Sequence, residues 1–202
     1  MALEAKEPDF RELLPNPDFQ LTRIAAVAPH NATLKGILLD DVLAQAPDRA
    51  EVLRRAGASD LRIGAFANVP YLTYLKVVSE VAQMKRPGAP IGATIREMAR
   101  GYYPRFRDTI PGKTIFGVFG SDARRILAQG HRGWSMLLNF GQYSVSVLAP
   151  THLRYRFAEY PAAMVEASDS GVLLGAMDVL GVKGRLRIAR VDERHAEIDI
   201  AW

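Results

Sequence analysis

A chain of 202 residues, 49% hydrophobic and 24% charged, with a net charge of +4 and a sequence pI near 9.5, has the make-up of one globular domain with room for an appendage. It has no cysteine, which excludes disulfides, thiolate metal sites, thiol nucleophiles and cysteine-linked lipid and fits a reducing, cytoplasmic setting. The opening "MALEAKEPDF" carries three acids and no apolar run, so no secretory signal is expected, and no stretch approaches the ~18 consecutive apolar residues of a membrane span.

Residues 1–31 read as an N-terminal arm. "LLPNPDF" and "AAVAPHN" hold three prolines and no sustained period, and "FQLTRIAAV" suits a short strand or docking segment. Residues 32–202 read as one α+β domain. Thr33 is the expected N-cap of a helix through "LKGILLDDVLAQA", with Leu34, Ile37, Leu38, Val42 and Leu43 at helical spacing and Pro47 ending it. Asp48 followed by Glu51 starts a short helix that Gly57 closes. A longer helix runs from Pro70 to Pro87, with Leu72, Leu75, Val78 and Met84 on its buried side.

The next helix begins near Pro90. At 100° per residue, Ile91, Ile95, Met98, Tyr102 and Phe106 share an arc of about 80°, with Arg96, Arg100, Tyr103 and Arg107 opposite. Arg105 breaks the sorting by projecting toward the apolar arc, just after Pro104. A cation turned toward a core needs a carboxylate, a carbonyl or a ligand. "GKTIFGVF" and "SDARRILAQG" read as two further helices, the second capped by Ser121 and closed by Gly130. The period then changes to two. Tyr143, Val145 and Val147 alternate with serines, and Leu153, Tyr155 and Phe157 with arginines, either side of an Ala149-Pro150-Thr151 turn. "SGVLLGAMDVLG" is apolar nearly all round and reads as a buried helix with Gly181 past its end. Two last strands carry Leu186 and Ile188, then Ile198, Ile200 and Trp202 on one face and Glu197 and Asp199 on the other, joined by a turn at 192–195. The expected architecture is a helical bundle packed on a small, about four-stranded antiparallel sheet, with a buried helix between the two strand pairs.

Little of the chain looks like catalysis. "PGKT" at 111–114 has Arg107 where a phosphate-binding loop needs glycine, and follows a helix rather than a strand. His30, His131, His152 and His195 show no paired ligand spacing, so neither a metal site nor a cofactor is expected. Asp40 and Asp41 are adjacent, hence about 100° apart on a helix, and read as solvated rather than as a working acid–base pair. No serine stands in a G-x-S-x-G setting. The aromatic residues Tyr102, Phe106, Phe116, Phe119, Trp134, Tyr155 and Phe157 are candidates to line a pocket between helices and sheet. Positive charge concentrates in residues 84–132, where ten Lys/Arg face three Asp/Glu, a net of +7.

From Thr33 onward, "TLKGILLDDVL", "IGATIREMARGYYPRFRDTIPGKTIFGVF" and "GVLLGAMDVLGVKGRLRIARVDERHAEIDIAW" resemble a myxobacterial paralogous family of proteins of unknown function. The ending, a helix opening Gly171-x-x-x-Gly175 followed by two strands, is also similar in layout to the 4-vinyl reductase domain, the haem nitric-oxide sensors and the vesicle-tethering TRAPP subunits. That likeness implies a cavity for a small molecule or acyl chain between helices and sheet, and a homodimer. The cysteines of the first and last of these groups are absent. Val147 and Leu148 stand where the haem sensors' Tyr-x-Ser-x-Arg clamp wants arginine, and no histidine is placed as a proximal ligand.

The expectation is therefore a non-enzymatic small-molecule-binding or sensory module. Tyr102, Arg105, Phe106, Phe116, Trp134 and Tyr155 are its candidate ligand residues, for an apolar or anionic molecule. The alternative is a dimeric scaffold that binds an acidic protein through Arg96, Arg100, Arg107, Arg124 and Arg125. Nucleic acid is an unlikely partner: the arginines are sorted away from the aromatic stripe, whereas a stacking platform needs both on one exposed surface.

Overall fold

In the computed structural model, which describes residues 8–61, 64–119 and 122–202, short pieces of the N-terminal segment join both halves of the fold. The order is β1 (Arg11–Glu12), α1 (Leu21–Val27), β2 (Thr33–Lys35), α2 (Gly36–Leu43), α3 (Arg49–Arg55), β3 (Asn68–Pro70), α4 (Tyr71–Lys85), α5 (Ile91–Arg100), α6 (Tyr102–Arg107), α7 (Ile110–Phe119), α8 (Ala123–Ala128), α9 (Gly130–Leu137), β4 (Gln142–Ala149), β5 (His152–Ala158), α10 (Ala162–Met164), a π-helical turn (Val165–Asp169), α11 (Ser170–Val179), β6 (Arg185–Arg190) and β7 (Ala196–Ala201).

The four strands read from the sequence form an antiparallel sheet to which β1 adds a fifth, in the order β1-β6-β7-β5-β4. Register sets its two faces. Leu153, Ile200 and Leu186 lie abreast, as do Tyr155, Ile198 and Ile188, and all six are buried under the helices. Arg154, Asp199 and Arg187 alternate with them onto the other face, where Arg154 donates to Asp199 at 2.7 and 3.2 Å and the ring of Phe10 covers its guanidinium at 4.5 Å. A second, two-stranded sheet pairs β2 with β3.

Several local expectations change. Thr33 does not cap a helix: it begins β2, whose backbone pairs with β3, and α2 starts at Gly36. "LTRIAAV" is helical, not extended, with Ile24 buried. Gly130 does not end a helix but opens α9, where the missing side chain leaves room for the ring of Tyr155. Leu72 is 46% exposed, while Leu75, Val77, Val78 and Val81 form the buried side of α4. Asp48 caps α3 through a bond from the Glu51 N–H at 3.0 Å, and Gly181 takes φ +66° after α11, both as expected. Asp122 caps α8 by accepting from the Arg125 N–H at 3.0 Å; Ser121 and the side chain of Phe119 lie outside the described residues.

The arginine side of α5 is wet at Arg100 but covered at Arg96. Arg96 is half-buried and donates to the Glu166 carbonyl at 2.9 and 3.0 Å and to the Leu14 carbonyl at 2.5 Å; Arg100 donates to Asp178 at 2.6 and 2.8 Å. Helix α5 is thus covered on both sides, by α4 on its apolar stripe and by the π turn and α11 on the other. Close approach on the second side depends on Gly171 and Gly175. A Cβ on either would fall closer than 3.0 Å to the carbonyl oxygen of Arg96 or Arg100.

The N-terminal segment is tied to the same place. Glu166, 6% exposed, accepts two bonds from Arg11 at 2.8 Å and one from the Leu14 N–H at 3.1 Å. Burial raises the Glu166 pKa, but the Arg11 and Leu14 bonds outweigh it and the carboxyl titrates below its ordinary value. Arg11→Ala is expected to lower stability by about 1 kcal/mol, since Arg11 is itself 39% exposed and the pair is partly screened. Urea unfolding checks the loss, and limited proteolysis should show faster cleavage before Leu21.

Candidate functional site: a carboxyl in the aromatic seam

The helices meet the inner sheet face along a seam of rings. Tyr71 packs edge-on against Phe140 with centroids 4.7 Å apart, Phe140 stacks on Tyr160 at 5.6 Å, and Tyr160 meets Tyr143 at 5.6 Å. Trp134 extends the row over Tyr143 (6.5 Å), Tyr155 (5.9 Å) and Phe157 (5.5 Å), and Tyr74 lies beyond Tyr71. The elements explain the placement. Tyr155 and Phe157 are alternate inward residues of β5, and Gly130, at the start of α9, lets that helix sit directly on Tyr155, whose hydroxyl donates to the Leu127 carbonyl.

Into this seam the π turn delivers one carboxyl. Asp169 is 4% exposed and accepts from Trp134 Nε1 at 2.7 Å through Oδ1. Its Oδ2 and the Tyr71 hydroxyl are buried without a hydrogen-bond partner. Burial pushes Asp169 up to about 7; the Trp134 bond and the nearby Tyr160 hydroxyl oppose the rise without cancelling it. Among the described residues, none of the groups that shift Asp169 is a cation. Burial likewise raises the phenols of Tyr71, Tyr143 and Tyr160 well above their ordinary range, so they stay protonated.

The wide turn itself has a visible cause. It leaves the Glu166 carbonyl to side-chain donors, and Arg96 and the Ser170 hydroxyl (2.5 Å) take it. π turns of this kind concentrate at functional positions, because one extra residue re-aims the side chains that follow. Arg96 thus bonds the backbone of the turn three residues before Asp169.

Of the residues anticipated for a pocket, the structure brings Trp134 and Tyr155 together in the seam, with Phe157. Tyr102, Phe106 and Phe116 gather instead with Tyr103 along α6 and α7. Arg105 does not point into a core: it is exposed and held by Asp41 at 2.6 and 2.8 Å. Asp41 is correspondingly not solvated but mostly covered. Arg107, Arg124 and Arg125 are exposed, with Arg107 beside Asp108 and Arg125 beside Asp122. Periodicity and motif spacing do not reveal Asp169, Tyr71, Tyr143 and Tyr160 as site residues. A lone acid within the apolar run 167–177 is the signal that points to the first of them.

No described helix is long and apolar enough to cross a membrane, and no group of His, Asp or Glu among the described residues could hold a metal ion. No curated protein matches the chain. Solved structures do. One described as modulating heme redox potential through protein-induced porphyrin distortion superposes with TM-score 0.65 at 13% identity, over 84% of this chain and all of that one. The Fe(II) unliganded H-NOX protein from K. algicida gives 0.64 at 13%, over 83% of this chain and 96% of its own. An oxygen-binding H-NOX domain related to soluble guanylate cyclases gives 0.63 at 13%, over 83% and 94%. The fold is therefore that of H-NOX domains, in keeping with the layout read from the helix-plus-hairpin ending. A family model matches residues 30–202, and the chain belongs to that family, DUF2378, proteins of unknown function.

Proposed function

We propose that this chain is a non-enzymatic small-molecule-binding sensory module whose ligand occupies the aromatic seam beside Asp169. One observation carries the reading: two polar groups, Asp169 Oδ2 and the Tyr71 hydroxyl, are buried in the seam without a well-formed hydrogen bond, the Tyr160 hydroxyl being the polar group that lies near both. Burying an unpaired polar group costs roughly 1–3 kcal/mol, a penalty that a purely structural interior avoids by using apolar side chains. The H-NOX-like fold supports the same reading, since three of its solved examples are described by haem, Fe(II) or oxygen binding.

The residues present do not fit a haem. His30 is at the surface and His195 is in the β6–β7 turn against Asp192. His152 lies near Asp199, whose side chain is on the sheet's outer face, and the His131 ring bonds to the Ala128 backbone. Ring centroids 5.6–6.5 Å apart leave no porphyrin-sized gap in the seam, and β4 supplies Val147 and Leu148 where a propionate clamp needs a cation. The ligand is accordingly smaller than a porphyrin.

Native mass spectrometry of the protein as purified tests the reading. A retained small molecule, released on denaturation, is the expected result. A ligand-free protein that no compound of a metabolite panel stabilises against heat, and that Tyr71→Phe stabilises, would show that the seam is only a core.

A second reading, self-association, is favoured by β4. This eight-residue edge strand contains no charge and no proline, and it exposes Val147 and Leu148 at nearly half their area. Edges of that kind pair readily with another strand, and two identical ones pair isologously. The reading places a homodimer through β4, with Arg107, Arg124 and Arg125 left for an acidic protein. Light scattering should then give twice the 22.3 kDa chain mass, and Ser146→Pro should return it to one. A wild-type monomer at high concentration refutes it.

A further inference from the structure

We propose that the seam's ligand is a small organic cation, its ammonium group set against the Asp169 carboxylate and between the faces of Trp134, Tyr71, Tyr143 and Tyr160. The inference rests on the reading of the seam as a ligand site and adds the ligand's class.

Charge argues for it first. Asp169 is buried; the Trp134 indole N–H bonds to it, the Tyr160 hydroxyl lies near it, and no Lys, Arg or His is among the described groups that act on it. A buried carboxylate without a counter-charge is expensive, and it either keeps its proton or acquires a positive partner. An anion placed beside it would be repelled. The arginine expected from the sequence to meet an anion, Arg105, is paired with Asp41.

The surrounding rings make the same selection. Aromatic faces carry negative potential, and they attract a desolvated cation held within about 6 Å of a ring centroid. Here Trp134 bonds to the carboxyl, Tyr160 lies near it, and Tyr71 and Tyr143 feel its charge; all three phenols stay protonated, Tyr143 donating to the Phe140 carbonyl at 2.8 Å. Access is defined as well. Asp169, Tyr71 and Tyr160 are buried, whereas Trp134 and Tyr143, stacked on each other, are half-exposed. Entry therefore runs between α9 and β4, by displacement of those two rings, and Trp134 reports it because its Nε1–H bond to Asp169 must change.

The chain has two tryptophans, so Trp202→Phe leaves Trp134 as the sole reporter. That protein, at pH 8, is titrated with methylammonium, ethanolamine and choline, and with 3,3-dimethylbutan-1-ol, the uncharged counterpart of choline. A saturable fluorescence change with at least one ammonium compound is expected, at least tenfold weaker with the alcohol. Asp169→Asn, nearly isosteric, should weaken binding at least tenfold. Trp134→Phe, followed by calorimetry, should weaken it less, because a ring face remains. Equal response to the alcohol, an unaltered Asp169→Asn protein, or no response to any ammonium compound overturns the proposal. If an uncharged or anionic molecule is retained in native mass spectrometry, the class is wrong and the ligand site stands. If nothing of any charge binds, both readings fall together.

Discussion

Replacing Gly175 with alanine is expected to destabilise the protein by roughly 1–3 kcal/mol, even though alanine is the better helix former by about 1 kcal/mol. The added methyl would sit closer than 3.0 Å to the Arg100 carbonyl oxygen, and a backbone atom cannot turn aside as a side chain can. Helices α5 and α11 must part instead. Parting them strains the Arg100–Asp178 bonds and, one turn earlier, the Arg96 bonds that hold the π turn. Gly171→Ala, against the Arg96 carbonyl, should act in the same direction, and the double variant should lose more than either single one. For a chain of this size the melting temperature should fall by roughly 2–4 °C for each kcal/mol. Gly133→Ala is the control: a Cβ there meets nothing within 4 Å, so its effect should be neutral or stabilising by about 0.4–1 kcal/mol. If Gly175→Ala melts with the wild type, the glycines are not what sets the α5–α11 distance.

Those glycines also show what is legible in the sequence and what is not. Gly171-x-x-x-Gly175 reads as part of a family outline, and its physical meaning, a flat strip for a crossing helix, emerges only once the partner helix is known. Periodicity locates the buried stripe of α5 correctly in Ile95 and Met98. It then assigns Arg96 to water along with the exposed Arg100, because a single-helix projection sees one core and α5 touches two elements on opposite sides. Strands β4 to β7 are plain, since alternation with charged or serine residues survives in a sheet with only one apolar face. The short elements β1, α1 and α9 are not, because two to eight residues hold too few periods and tertiary contacts define them. The candidate site is half legible. Trp134 and Tyr155 stand out as large aromatics, but Asp169 closes a π turn, and no periodic reading contains that shift. Arg105 illustrates the converse. Its projection toward the apolar arc is sound for a continuous helix, but the helix breaks at Gly101 and restarts as α6, which carries Arg105 round to Asp41.

The pH dependence of stability should reveal Asp169 directly. Its folded pKa is raised from 3.8 to about 7 by burial, so between those values the folded protein holds a proton that the unfolded chain has released. Stability then decreases as pH rises, since the unfolded state binds fewer protons. The contribution is fully present below the unfolded pKa and is lost as pH passes through about 7. Carried from pH 5 to pH 8, the loss should reach roughly 2–3 kcal/mol, because each tenfold change in a proton-binding constant is worth about 1.36 kcal/mol. Glu166, Asp178, Asp192 and Asp199 act in the opposite sense: each is held below its ordinary value, and each withdraws stability only as pH falls through that lower range. The interval from 5 to 8 therefore isolates Asp169. In Asp169→Asn the amide oxygen can still accept from Trp134 and an uncharged NH2 takes the place of Oδ2, so the slope should shrink to under about 1 kcal/mol over the same interval. Urea unfolding at half-unit pH steps, paired with Trp134 fluorescence of the folded protein, measures both sides. A wild-type curve flat from pH 5 to 8 would mean that Asp169 is solvated or already neutralised, and the seam would then hold no buried carboxyl for a cation to meet.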